Sequence, residues 1–201
     1  MLDAALRRLI DPPLDRAGRW LSARGIGADA ITLAGFALGV AAAAAIAVGY
    51  PLVAVLLIAL NRIADGLDGA VARATARTDR GGYLDITLDF TVYALVPLAF
   101  AVADPARNAL AAAALLAAFY VNGAAFLAFA AMAEKRGLST RAQGEKSLYY
   151  LAGLAEGAET IAVFALMCLW PAGFPLLATA FAALTAASAA ARIVVGARTL
   201  R

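Results

Sequence analysis

The chain has 201 residues, of which 64% are hydrophobic and 15% charged, and its mean hydropathy is +0.81. These values exclude an ordinary soluble domain and predict an all-α integral membrane protein. The net charge of +3 is too small to indicate a nucleic-acid partner. Cys168 is the only cysteine, so no disulfide can form within the chain.

The first predicted element, residues 1–25, is a juxtamembrane amphipathic helix that lies on the membrane surface. Leucine, isoleucine and tryptophan recur there at roughly helical spacing, with arginines between them. Pro12 and Pro13 predict a break in this helix. The charged residues also interrupt every apolar stretch before residue 30, which leaves no signal-peptide core. We therefore expect the amino terminus to be retained.

Residues 26–201 are predicted to form one membrane domain of six transmembrane helices. A helix needs about 20 predominantly apolar residues to cross a bilayer. The segments that meet this length are approximately 30–50, 51–74, 82–103, 107–133, 147–170 and 173–196. The turns between the first and second and between the fifth and sixth are short, which predicts antiparallel neighbours.

The basic residues predict the orientation of these helices. In the six-span arrangement the arginines and lysines of the loops fall on the side of both termini, and only Arg107 falls on the other. The positive-inside rule makes the richly basic side cytoplasmic. The abundance of alanine and arginine is typical of a bacterium with a GC-rich genome. We therefore expect a multi-pass protein of the inner, cytoplasmic membrane.

Two consecutive predicted spans carry aspartates at helical spacing near the cytoplasmic side. Their sequences are Asp65-Gly-Leu-Asp68-Gly69-Ala-Val-Ala72-Arg73 and Gly81-Gly-Tyr-Leu-Asp85-Ile-Thr-Leu-Asp89. On an ideal helix the functional positions of the first set span an arc of about 140°, and those of the second about 80°. Each set therefore lines one face of its helix, and we expect the site to open to the cytosol.

The four aspartates need a partner because a carboxylate in the apolar part of a bilayer costs up to about 2.5–3.5 kcal/mol. A divalent cation or a water-filled cavity can neutralise such a cluster. Every candidate ligand is an oxygen atom and the chain contains no histidine, which favours Mg²⁺ or Mn²⁺ over zinc or copper. Any general base in this site is then a carboxylate.

These residues resemble the signature of the CDP-alcohol phosphatidyltransferase family, D-x-x-D-G-x-x-A-R followed by G-x-x-x-D-x-x-x-D. Both halves match, and the linker between them, residues 74–80, is one residue shorter than usual. The six-span layout with an amino-terminal surface helix is also similar to the family. The resemblance implies a membrane enzyme of phospholipid synthesis. Such an enzyme joins a CDP-linked lipid, usually CDP-diacylglycerol, to an alcohol and releases CMP.

The resemblance also implies roles for individual residues. The implied metal-site residues are Asp65, Asp68, Asp85 and Asp89, of which the first three are direct ligands. Asp89 is implied to be the base that takes the proton of the acceptor hydroxyl while it contacts the metal shell. The residues implied to contact the CDP moiety are Gly69, Ala72, Arg73 and Gly81. A homodimer surrounded by membrane lipids is implied as well.

Several other polar residues stay undecided between a functional and a structural role. Asn61 and Arg62, one turn before Asp65, either hold the cytidine phosphates or form an ordinary pair inside the bundle. Thr32 stands where relatives often have Pro-Asn-x-x-Thr, but the proline and the asparagine are absent. Internal salt bridges or an acceptor pocket account equally well for a further set: Lys135, Arg141, Lys146, Glu156, Glu159 and Arg192.

A cation transporter or channel is the alternative function, because carboxylates inside a membrane also mark ion pathways. Arg73 beside the aspartates and their depth near one face favour the enzyme. A structural membrane protein without activity would leave the aspartate geometry unexplained. The acceptor stays open among glycerol 3-phosphate, inositol, inositol phosphate, serine and an ether-lipid variant. The basic residues near 135–146, with Arg192, favour a phosphorylated acceptor.

Overall fold

The computed structural model describes residues 2–137 and 157–201, with side chains from residue 10 onward in the first range. Within these ranges the chain is all-helical, as predicted, and they contain no strand. The helices are α1 (Leu2–Ser22), α2 (Ala28–Ala47), α3 (Pro51–Ala74), α4 (Asp79–Ala103), α5 (Pro105–Lys135), α6 (Gly157–Leu169) and α7 (Phe174–Thr199). A 3₁₀ turn, Pro171–Gly173, precedes α7.

Local sequence sets the ends of the helices that carry the aspartates. α3 begins at Pro51, whose fixed φ suits the first helical position, after a turn in which Gly49 has a φ of +86°. α4 is capped by Thr78, whose hydroxyl accepts a hydrogen bond from the Gly81 amide at 3.0 Å. Only residues 75–78 connect α3 to α4, so the two halves of the signature lie close in space.

α1 runs without interruption through Pro12 and Pro13, so the predicted break is wrong. Proline adopts a helical φ, and its cost inside a helix is the loss of a backbone N–H for the carbonyl four residues earlier. Both prolines are exposed, and carbonyls at a solvated surface can bond to water instead. An exposed helix therefore tolerates the pair, and a proline pattern alone does not end it.

α1 packs closely on α3, at positions beside the face that bears the signature. A Cβ added to Gly18 would lie 2.8 Å from the carbonyl carbon of Ala70, and one added to Gly66 would lie 2.7 Å from Cδ1 of Leu14. The two helices therefore approach at positions where larger side chains do not fit. This contact fixes α1 beside the carboxyl-terminal half of α3.

Four segments of the described chain are long and apolar enough to cross a membrane: α2, α4, α5 and Pro171–Thr199, which includes α7. α3 is 24 residues long but carries the charged residues of the first signature half. α6 covers only the second part of the predicted fifth span, because residues 147–156 lie outside the described ranges. The multi-pass character is confirmed, and the count of six spans stays a prediction.

The helices form two packed groups, which are joined by contacts of α4 with α5 and of α3 with α6. α2 packs against both α3 and α4, and α5 packs chiefly against α7. Aromatic rings fill the space between α4 and the later helices: Phe100 stacks on Phe174 with ring centroids 4.4 Å apart, and Phe119 meets Phe164 and Phe181 edge to face. The acidic segments of α3 and α4 lie outside this aromatic core, against α2.

Candidate active site

Three of the four signature aspartates converge in space. Asp65 and Asp68 on α3 and Asp85 on α4 each offer a carboxylate oxygen, and these three atoms lie within 4.8 Å of one another. Asp68 is buried and the other two are half-buried. Mg²⁺ and similar ions bind oxygen ligands at about 2.0–2.6 Å, so three oxygens at this spacing can share one ion. The donor set therefore fits the predicted Mg²⁺ or Mn²⁺.

Asp68 has a hydrogen-bond partner from α2. The Thr32 hydroxyl donates to Oδ2 of Asp68 at 2.7 Å and also lies 3.1 Å from the carbonyl of Ala28. A hydroxyl held in this way orients the carboxylate and leaves its other oxygen for a cation. The sequence pattern left Thr32 undecided, and the structure places it in direct contact with a signature aspartate.

A narrow cleft opens at the three aspartates. Its free volume is about 10 Å³, which is close to the space that one water molecule needs. The lining comes from α2, α3 and α4 and combines the acidic groups with polar and apolar neighbours: Thr32, Gly35, Phe36, Asn61, Arg62, Asp65, Asp68, Asp85, Leu88, Asp89 and Val92. A small cleft with a partly apolar wall strengthens the electrostatic interactions of the charges that line it.

Asp89 also lines the cleft, but its carboxylate is held by Arg62. Nη2 of Arg62 lies 2.6 Å from Oδ1 of Asp89, and Nη1 lies 3.3 Å from Oδ2. The same Nη1 lies 3.5 Å from Oδ2 of Asp65. The structure therefore groups Asp89 with an arginine and not with the three converging carboxylates. Of the two interpretations of Arg62, the pair inside the bundle is the one that the contacts support.

Arg73, the signature arginine, forms an ion pair with α1. Its Nη2 lies 2.8 Å from Oδ1 of Asp15 and its Nε lies 3.2 Å from the same oxygen. Both side chains are partly exposed, at 38% and 39%, so the guanidinium remains accessible. Asp15 was not predicted from the sequence as a partner of Arg73. Its only indication there is that it is an acidic residue at helical spacing in a segment rich in arginine.

The remaining signature positions leave space beside this pair. A Cβ at Gly69 would lie 3.3 Å from Nη1 of Arg73, and one at Gly81 would lie 3.1 Å from the Thr78 hydroxyl. Ala72 is half-buried. Arg80, just before Gly81, lies 3.3 Å from a carboxylate oxygen of Asp29 at the start of α2. Of these small residues, Gly69 lies directly beside the Arg73 guanidinium.

A second and much larger cavity, of about 1010 Å³, lies among α4, α5, α6 and α7. Its wall is mainly apolar, with Asn122, Thr185 and Arg192 as polar contributions. The Arg192 guanidinium lies over the Phe126 ring, 5.4 Å from its centroid, which is a cation–π contact. Glu159 on α6 has a buried oxygen without a hydrogen-bond partner in the described ranges.

Of the basic residues predicted to form an acceptor pocket, the structure describes Lys135 and Arg192, and only Arg192 lines a cavity. Lys135 is exposed at the end of α5, and Arg192 lies in the larger cavity. Arg141, Lys146 and Glu156 lie outside the described residues. The proposed acceptor pocket is therefore described only in part.

A sequence model of the CDP-alcohol phosphatidyltransferase family matches residues 26–197 of the chain. The chain is also 50% identical, over 184 residues, to the inner membrane protein YnjF of Escherichia coli K12, in a match that covers 92% of this chain and 89% of that protein. This match supports a location in a membrane.

Two archaeal proteins, both called archaetidylinositol phosphate synthase, are similar over a shorter part. The protein from Pyrococcus horikoshii is 34% identical over 85 residues, or 42% of this chain and 45% of that protein. The protein from Methanothermobacter thermautotrophicus is 45% identical over 85 residues, or 42% of this chain and 40% of that protein. Together the matches favour the enzyme over the cation-transporter alternative.

Proposed function

The chain belongs to the CDP-alcohol phosphatidyltransferase family and is an enzyme of that class, and we propose that it transfers a phosphatidyl group from CDP-diacylglycerol to an alcohol that itself carries a phosphate. The products are a phosphodiester lipid and CMP. One observation carries the proposal most directly: Asp65, Asp68 and Asp85 offer three oxygens within 4.8 Å, beside a cleft that also contains a fourth carboxylate.

Asp65, Asp68 and Asp85 are the proposed ligands of Mg²⁺ or Mn²⁺. A bound divalent ion supplies positive charge for the phosphate oxygens as negative charge develops on them. The chain contributes by holding the ligands in place, because the Thr32 hydroxyl on α2 donates to Asp68 at 2.7 Å and orients it. Such preorganisation is the main contribution of a protein to phosphoryl transfer.

Asp89 is the proposed general base. Its carboxylate takes the proton of the acceptor hydroxyl as that oxygen forms a bond to the phosphatidyl phosphorus, and the bond from phosphorus to the CMP oxygen breaks. A carboxylate has about four lone-pair sites, and Arg62 occupies one on each oxygen. Lone pairs therefore remain to accept the proton, and the guanidinium fixes the direction in which they point.

Arg73 is the proposed contact for the diphosphate of the CDP moiety. A guanidinium binds phosphate oxygens in pairs, and this one is partly exposed and oriented by Asp15. Gly69, Ala72 and Gly81 lack bulk on the side from which the nucleotide approaches. α1 then contributes to nucleotide binding, because Asp15 belongs to it.

The proposed acceptor is a phosphorylated alcohol, and inositol phosphate is the leading candidate. Two relatives are named for a lipid product that contains inositol phosphate. A second anion in the site needs its own positive charge, for which Arg192, Lys135, Arg141 and Lys146 are the candidates in sequence. Glycerol 3-phosphate meets the same requirement.

The membrane arrangement is proposed as six spans, residues 26–201, with the acidic cleft open to the cytosol and residues 1–25 on the surface of the inner membrane. A homodimer is part of this proposal. The basic loops on the side of both termini support the orientation.

An acceptor panel tests the proposed function. The purified full chain is incubated with CDP-diacylglycerol, Mg²⁺ and, in separate reactions, inositol phosphate, glycerol 3-phosphate, inositol or serine, and CMP release is measured. We expect CMP release to be at least tenfold faster with a phosphorylated acceptor than with inositol, which is neutral, or with serine, which is zwitterionic. Faster release with inositol or serine would refute the phosphorylated acceptor. No release from CDP-diacylglycerol with any of the four acceptors would refute the reaction itself.

A further inference from the structure

α1 turns two large apolar side chains away from the protein. Ile10 is 43% exposed and Trp20 is 55% exposed, whereas Gly18, on a different face of the same helix, lies against α3. On an ideal helix Ile10 and Trp20 are about 80° apart. They therefore belong to one exposed apolar strip, which the described helices leave open.

Exposed arginines lie beside this apolar strip. Arg16 is about 40° from Trp20 on an ideal helix, and Arg19 is a further 60° or so away. Both are exposed, and among the described residues neither forms an ion pair with a carboxylate. The Arg24 guanidinium lies over the Trp20 ring, 3.5 Å from its centroid. α1 thus presents uncompensated positive charge next to apolar surface.

An anionic lipid surface fits both properties of α1. A helix with an apolar strip and arginines beside it lies in the bilayer interface, indole rings concentrate at the level of the headgroups, and each arginine near anionic headgroups adds to the attraction. A zwitterionic surface would leave Arg16 and Arg19 without a counter-charge. A membrane is within reach, because α2, a candidate span, begins at Ala28, six residues after α1 ends.

α1 is also joined to the signature arginine. Asp15, which precedes Arg16 in the chain, accepts hydrogen bonds from Nη2 of Arg73 at 2.8 Å and from Nε at 3.2 Å. The contact of Gly18 with Ala70 leaves no space for a side chain between α1 and α3. The two helices therefore keep a fixed register, and the position of α1 determines where Asp15 holds the guanidinium.

We infer that Arg16, Arg19 and Trp20 of α1 form a binding surface for anionic phospholipid headgroups, and that binding there holds Asp15, and through it Arg73, in the orientation that receives the diphosphate of the CDP-linked lipid. The second half rests on the proposed role of Arg73. A guanidinium that is already oriented loses less freedom when it binds its anion. Anionic lipid should therefore lower the KM for the CDP-linked lipid and leave kcat unchanged.

Tryptophan fluorescence tests the lipid surface without any turnover. Trp20 and Trp170 are the only tryptophans, so Trp170→Phe leaves Trp20 as the single indole. The full chain with this change is placed in phosphatidylcholine nanodiscs that contain the same fraction of either brominated phosphatidylglycerol or brominated phosphatidylcholine, because bromine quenches an indole on contact. We expect the anionic lipid to quench Trp20 at least twice as strongly. Equal quenching by the two lipids would refute the surface.

Charge variants identify the arginines responsible. Arg16→Gln combined with Arg19→Gln should make the two brominated lipids equal quenchers. Arg198→Gln combined with Arg201→Gln is the matched control, since it removes two exposed arginines at the end of α7 and should keep the difference. A difference that survives the loss of Arg16 and Arg19, or that disappears in the control, would contradict the assignment to α1.

Steady-state kinetics tests the coupling to Arg73. The chain with both tryptophans is assayed for CMP release in nanodiscs with and without phosphatidylglycerol, and the CDP-linked lipid is varied. We expect phosphatidylglycerol to lower its KM about threefold, with kcat unaltered. Asp15→Asn should keep the preferential quenching of Trp20 but lose this change in KM, because Asp15 is a positioning residue. A KM that does not respond to phosphatidylglycerol, or a response that Asp15→Asn retains, would overturn the coupling.

Failure of this inference is distinguishable from failure of the proposed function. CMP release with a KM that ignores anionic lipid leaves the proposed reaction intact and refutes only the coupling. The absence of CMP release under every condition refutes the proposed function and the coupling with it, whereas the quenching of Trp20 still decides whether α1 binds anionic headgroups.

Discussion

The helices before and after the middle of α4 are stabilised in different ways. In α1, α2, α3 and the first half of α4, charged side chains link one helix to another, as in the pairs Arg62–Asp89 and Arg73–Asp15. α5, α6 and α7 meet instead through apolar packing, which includes the contacts of the Phe119 ring with Phe164 and Phe181. The comparison teaches that the candidate acidic site is built by the amino-terminal part, whereas the carboxyl-terminal part supplies an apolar support and most of the wall of the larger cavity.

The largest effect should follow from Asp89→Asn in the amino-terminal part. Removing a general base lowers the rate by about 10²–10⁴-fold, and we expect the upper end because no histidine is present to replace it. The measurement is the kcat of CMP release, with the KM for the CDP-linked lipid expected to stay within threefold. A kcat near that of the wild type would show that Asp89 is not the base.

A smaller effect should follow from Thr32→Val, which keeps the shape of the side chain but removes the donor to Asp68. Losing a hydrogen bond to a metal ligand weakens metal affinity by about 10–100-fold, and Mn²⁺ binding measures it. Thr179→Val is the matched control, since the Thr179 hydroxyl donates only to a backbone carbonyl within α7. Equal Mn²⁺ affinities of the two variants would contradict the role given to Thr32.

The two parts should also divide substrate binding. Arg73→Ala should raise the KM for the CDP-linked lipid about tenfold, equivalent to about 1.4 kcal/mol, and leave the KM for the acceptor unchanged. Arg192→Ala should do the reverse. Steady-state kinetics with each substrate varied in turn measures both. If both variants affected both substrates equally, or if Arg192→Ala had no effect, the division would be wrong and a neutral acceptor would be favoured.

The smallest effect on activity should come from the core of the carboxyl-terminal part. Met167 is fully buried in the hydrophobic core, and Met167→Leu conserves volume, so the free energy of unfolding should fall by less than about 1.5 kcal/mol. Thermal unfolding in detergent measures this change, while Mn²⁺ affinity should be unaltered. A large loss of Mn²⁺ affinity would show that the two parts are coupled more tightly than their contacts indicate.

The convergence of three signature aspartates was predictable from the sequence because helical spacing is a local property. Asp65 and Asp68 lie on one face of a single helix, and a short linker brings Asp85 near them, so the pattern was sufficient. The all-α class followed in the same way from composition. The comparison with the family confirmed the enzyme class that these residues indicated.

The partners of Arg62 and Arg73 were not predictable from the sequence in the same way. Each pair joins residues 27 or 58 positions apart, and such contacts depend on how whole helices pack. The predicted break at Pro12 and Pro13 was wrong for a related reason. The cost of a proline in a helix depends on whether water can reach the freed carbonyls, which a sequence does not state.

The dependence of CMP release on a divalent ion tests the central claim most directly. The purified chain is assayed with CDP-diacylglycerol and a phosphorylated acceptor, first with excess EDTA and then with Mg²⁺ or Mn²⁺ added beyond the chelator. The account predicts no CMP release in EDTA and full recovery with either ion, because Asp65, Asp68 and Asp85 cannot neutralise the phosphate charge without a cation. Undiminished CMP release in excess EDTA would contradict it.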